Sequence, residues 1–67
     1  MDIPGTIRRI EEAAKAAKVP ITDLCEATGI HRATWQRWKA GTKLPTVRKW
    51  MEFDDRIPAK IKRRMAS

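Results

Sequence analysis

The stretch from Ile21 to Gly41, ITDLCEATGIHRATWQRWKAG, constrains the fold of this chain more than any other. It reads as two short helices joined by a tight turn. Gly29 is the residue that can take a left-handed turn without a Cβ penalty, and Gly41 is the expected stop of the second helix. Between them Trp35 and Trp38 stand three apart, so they share one helical face. The positions around them are polar or basic: Arg32, Gln36, Arg37 and Lys39. A helix of this kind has one side made to pack and another left for water or a charged partner.

The rest of the chain also reads as helix. Ile7, Ile10, Ala14 and Ala17 mark one face of a helix from about Pro4 to Lys18, ended by Val19-Pro20 because the residue before proline avoids helical backbone. A short helix from Ile21 or Thr22 to Thr28 presents Leu24, Thr28 and, beside them, Cys25. After Gly29, the turn carries Ile30 into the core. The next helix runs from His31 to Lys39 or Ala40. Thr46 is a good N-cap for a fourth helix to about Asp55, with Val47, Trp50 and Met51 on its inner stripe and Phe53 and Ile57 to the side. Pro58 can open a last short helix through Arg64, with Ile61 and Met65 four apart, or residues 58–67 form a basic tail. The β-branched residues never alternate over the length of a strand. The expectation is an all-α, five-helix domain spanning residues 1–67, with no repeat or linker.

At 67 residues, such a domain buries only about 60% of its unfolded surface, and its stability is marginal without help. One cysteine and one histidine supply neither a disulfide nor a zinc site, and no metal or cofactor is expected. Dimerisation is the remaining way to bury more surface. No apolar run approaches a membrane span and no signal segment opens the chain, so the expected place is the cytoplasm.

The net charge of +7 is unevenly spread. Residues 1–30 carry four basic side chains against five acidic ones; residues 31–67 carry eleven against three. Between His31 and Lys49 there are six basic residues and no acid. Such a field attracts nucleic acid. Enzyme chemistry has no foothold: Glu11 and Glu12 point apart on a helix, Asp54 and Asp55 read as surface, and there is no phosphate loop, metal triad or nucleophile–base pair. Cys25 reads as core. The three tryptophans could stack on single-stranded bases, but each lies on the stripe its helix would bury.

Leu24, Gly29, Trp35, Trp38 and the Ala40-Gly41 stop, with small Cys25 four residues before Gly29, resemble the helix-turn-helix of the lambda-type phage repressor and Cro family of transcriptional regulators. The likeness is close over residues 21–41 and looser over the rest, where the family has one helix before the motif and about two after it. Two positions depart. Cys25 stands where the family usually has alanine, and Ile21 where it often has a glutamine that supports a phosphate contact. The resemblance implies a sequence-specific DNA-binding regulator, of Cro-repressor type from a phage or prophage. It would bind a pseudo-palindromic operator on double-stranded DNA as a homodimer, with no small-molecule effector. An antitoxin-type autoregulator, a recombination factor, or a basic module for protein, RNA or anionic membrane are the alternatives.

Carried onto this sequence, the base-reading positions of the family fall at His31, Arg32, Ala33 and Arg37, with Gln36 alongside. The chemistry agrees: arginine grips guanine O6 and N7 with two hydrogen bonds, glutamine reads adenine, and alanine meets a thymine methyl. His31 either donates to a base or phosphate or caps its helix. Thr34, Lys39, Lys43, Arg48 and Lys49 are the expected phosphate contacts, which fix register without reading sequence. Phe53, Ile57, Ile61 and Met65 are the expected dimer interface.

Overall fold

In the computed structural model, which describes residues 2–66, the first helix, α1, spans Ile3–Ala16. Asp2 caps it: its Oδ1 accepts from the Gly5 N–H at 3.0 Å. The helix stops two residues before the sequence spacing suggests. Lys18 takes the left-handed conformation, φ 59°, and the Val19 N–H reaches back to the Ala14 carbonyl at 2.8 Å. This is a six-to-one closing bond that satisfies a terminal carbonyl and lays Val19 against the core. A lysine pays a steric penalty there that glycine avoids. Lys18→Gly is therefore expected to raise stability by up to roughly 1 kcal/mol, read as a Tm increase of about 4–8 °C in a thermal melt.

The same closure recurs where glycine is present. α2 spans Ile21–Thr28 and α3 spans Arg32–Ala40. After α2, Gly29 (φ 71°) lets the Ile30 N–H bond the Cys25 carbonyl at 3.1 Å, and both Ile30 and Cys25 are buried. A Cβ on Gly29 would be strained and would also lie 2.9 Å from Arg56 Nη1. After α3, Gly41 (φ 79°) lets the Thr42 N–H bond the Arg37 carbonyl at 3.1 Å. Thr28 is buried without an orphan hydroxyl, because it donates to the Leu24 carbonyl at 2.8 Å.

α4 spans Val47–Asp55 and α5 spans Ala59–Ala66, and no strand is present among the described residues. α1 packs against α5, α3 and α2, so Ile3, Ile7, Ile10 and Ala14 form the spine of a core that all five helices share. Its densest part is aromatic. Phe53 lies 5.7 Å from Trp35, 5.4 Å and edge-on from Trp38, and 5.1 Å from Trp50, measured between ring centroids.

That cluster decides which way α4 faces. The inner row is Trp50, Phe53 and, just past the helix, Ile57; Val47 and Met51 are 78% and 61% exposed. The expected stripe of Val47, Trp50 and Met51 is thus corrected. Both rows have helical spacing, but only the second seats a phenylalanine among three tryptophans, and aromatic rings bury more surface than valine or methionine.

The expected dimer interface is corrected with it. Phe53, Ile57 and Ile61 are 1%, 5% and 0% exposed, and Met65 is half-buried against the same core. These side chains are used up inside the chain, because a domain this small has no apolar bulk to spare. Nor are residues 58–66 a loose basic tail. The Pro58 carbonyl accepts from the Ile61 and Lys62 N–H groups at 3.0 and 3.1 Å, and Ile61 locks α5 onto α1. Ser67 lies outside the described residues.

Candidate nucleic-acid interface

α3 has a sharply divided surface. Trp35 and Trp38 point inward, 0% and 2% exposed. Arg32, Ala33, Gln36 and Arg37 are exposed, and Thr34 is half-buried at the edge. The Arg32, Gln36 and Arg37 side chains make no hydrogen bond or ion pair with any described residue, so their donors remain available. Four of the five expected base-reading residues therefore occupy one outward face of a helix held from behind.

His31, the fifth, has a definite structural task. Its backbone is extended and its Nδ1 accepts from the Ala33 N–H at 3.2 Å, which caps α3. An accepting Nδ1 places the proton of the neutral ring on Nε2, leaving one donor that the cap does not use.

The helix is anchored by a residue that the sequence reading set aside. Glu11, on α1, receives the Trp35 indole N–H on Oε2 at 2.9 Å and the Lys39 ammonium on Oε1 at 2.8 Å. A buried indole N–H demands an acceptor, so the sequence signals that one must exist. It does not signal which, since Glu11 is 24 residues away. Burial alone would push the Glu11 carboxyl up. The Lys39 and Trp35 hydrogen bonds, with the charges of Lys39 and Arg8, outweigh it and hold the group below its ordinary value.

A carboxylate with a depressed folded-state pKa adds stability that is present above its unfolded value and is lost as pH falls through the folded one. Glu11→Gln keeps an acceptor for the indole but loses the ion pair. It is expected to cost about 1 kcal/mol at pH 7 and to flatten the acid limb of the stability curve below the usual carboxylate range. An unchanged acid limb in urea titrations at several pH values would show that Glu11 carries no such linkage.

Lys39, expected at the phosphates, is thereby drawn toward α1, and any phosphate contact would compete with Glu11. Lys43 is exposed in the loop after α3, and Arg48 and Lys49 are exposed on the first turn of α4. Thr46 caps that turn, accepting from the Lys49 N–H at 3.2 Å. Cys25 is buried between α2 and its neighbours. Burial disfavours the thiolate and pushes its thiol up, helped by the Glu11 charge and only partly opposed by the Arg32 guanidinium, which favours the thiolate. No helix among the described residues is long and apolar enough to cross a membrane.

Comparison with known proteins adds one finding. The family model for the Cro/C1-type HTH DNA-binding domain matches residues 9–49, from the second turn of α1 to the first turn of α4. No curated protein and no solved structure matches the chain. The matched span contains both glycine-closed helix ends, the two inward tryptophans and the whole exposed face of α3, and the chain belongs to the family of Cro/C1-type HTH DNA-binding domains.

Proposed function

We propose that this DNA-binding domain is a sequence-specific transcriptional repressor that lays α3 in the major groove and acts as a dimer on a pseudo-palindromic operator. The observation that carries this reading is the division of labour on α3. Trp35 and Trp38 pack on the inner side and Lys39 pairs with Glu11 on the α1 flank, and the outer side offers Arg32, Ala33, Gln36 and Arg37, whose side chains engage no described residue by hydrogen bond or ion pair. Arg32 and Arg37 are the guanine readers, Gln36 an adenine reader, Ala33 a thymine-methyl contact, and the His31 Nε2–H a base or phosphate donor.

Thr34, Lys43 and Lys49 hold phosphates and set the register. Arg48 follows a different course: consecutive residues on a helix project about 100° apart, so it does not share the outlook of Lys49. Repression would come from occupying the site. Selection from random duplexes tests the whole reading. Expected is an enriched inverted repeat with guanines in each half, its half-sites about 10–10.5 bp apart from centre to centre. A pool with no preferred sequence would overturn it in favour of a basic interaction module.

A further inference from the structure

α4 carries its charges the wrong way round for a helix on its own. Arg48 and Lys49 stand in its first turn and Asp54 and Asp55 in its last, against the helix dipole at both ends. Asp54 leans toward α5, 3.7 Å from Lys62. Arg48 and Asp55 are exposed, and their side chains have no ion pair or hydrogen bond with any described residue. Beside them lie Leu44, Val47 and Met51, 56%, 78% and 61% exposed, the large apolar side chains most open to water among the described residues. With Ile3 and Trp50 they line an open, mostly apolar groove of about 240 Å³. Scattered apolar residues on a surface are ordinary, but three adjoining ones on a domain of this size are not.

These features fit one another under a two-fold axis. Arg48 and Asp55 are seven residues apart, so on a helix they fall within about 20° of the same direction, on the flank of the Val47–Met51 row away from α5. A second α4 running antiparallel across that row brings Arg48 of each copy opposite Asp55 of the other, on the same flank. It also brings the two Met51 side chains together at the axis, with Val47 to either side. The two helix dipoles then oppose, which relieves the charge placement that is unfavourable in the single chain.

We propose that a second copy of this chain docks on the Leu44–Val47–Met51 face of α4 through this antiparallel, isologous contact, with Arg48 of each subunit paired to Asp55 of the other. The inference rests on the dimeric part of the function proposed above and supplies the interface that Phe53, Ile57 and Ile61 do not.

The test is self-association of the full chain without DNA, by sedimentation equilibrium. The variants are Met51→Lys, Arg48→Asp, Asp55→Arg and the double variant carrying both charge reversals, each checked for its fold by circular dichroism. Met51→Lys and either single reversal are expected to weaken the dimer by at least about tenfold, because each introduces or leaves like charges face to face. The double variant is expected to return to within about threefold of the wild type, a recovery that damage to the fold does not produce. A double variant as weak as the singles overturns the proposed pairing. A wild type that dimerises while Met51→Lys dimerises equally well overturns the interface and leaves the dimeric reading standing. A wild type still monomeric at about 1 mM that selects a single half-site from random DNA overturns both.

Discussion

Trp35→Ala is expected to cost the domain about a third or more of its stability. Trp35 is fully buried, touches Phe53 through its ring, and donates its indole N–H to Glu11. Truncating a core tryptophan costs about 3–5 kcal/mol. Stabilities run at roughly 0.05–0.15 kcal/mol per residue, which puts a chain of this length on the order of 3–10 kcal/mol in total. The substitution therefore removes between about a third and all of what is there. It also strips Glu11 of one of the two groups that justify its burial. Trp35→Phe keeps a ring against Phe53 and should retain a cooperative transition at lower denaturant. The measurement is urea unfolding followed by far-ultraviolet circular dichroism, since tryptophan emission changes with the substitution itself. A loss below about 1 kcal/mol for the alanine variant would mean that the aromatic cluster is not what holds α3 in place.

The second large effect falls on recognition rather than on folding. Arg32→Ala with Arg37→Ala is expected to erase the preference for the selected operator over a scrambled duplex while the thermal melt stays close to wild type. A bidentate arginine–guanine contact is worth about 1–3 kcal/mol of discrimination, so the pair accounts for roughly one and a half to four orders of magnitude. Both side chains are exposed and make no hydrogen bond or ion pair with any described residue, which is why the fold should not notice. Lys49→Ala is the control: it should weaken operator and scrambled DNA alike, because a phosphate contact carries no sequence information. Competition binding at one fixed salt concentration separates the two behaviours. If the double alanine variant still favours the operator, the outer face of α3 is not the reader.

What was legible in the sequence was local. Gly29 and Gly41 announce their closures because few other residues accept a positive φ, and Trp35 and Trp38 declare an inner face by spacing alone. Lys18 gave no such signal: it adopts the same left-handed turn because Val19, beyond it, has a core to reach. The facing of α4 was not legible, since its two candidate rows differ only in what α3 presents to them. The pull of Glu11 on Trp35 and Lys39 was equally hidden, because it depends on how α1 crosses α3. The assignment of Phe53, Ile57 and Ile61 to an interface failed for the same reason. Counting apolar residues against an imagined core cannot show that α5 closes over α1. On the exposed side of α3, by contrast, the family resemblance named the candidates and their side-chain chemistry agreed with it, since nothing in the fold competes for them.

The split surface of α3 also decides how freely the domain can change. The side chains that hold the helix in position are Trp35, Trp38, the His31 cap and the Glu11 clamp, and none of them lies among Arg32, Ala33, Gln36 and Arg37. Changes at sites that share no partners add almost independently. A lineage carrying this domain is therefore free to rewrite its outward residues one at a time, drifting from one target to another without passing through an unfolded ancestor. The same freedom lets an engineer exchange those four side chains while leaving the scaffold behind them untouched.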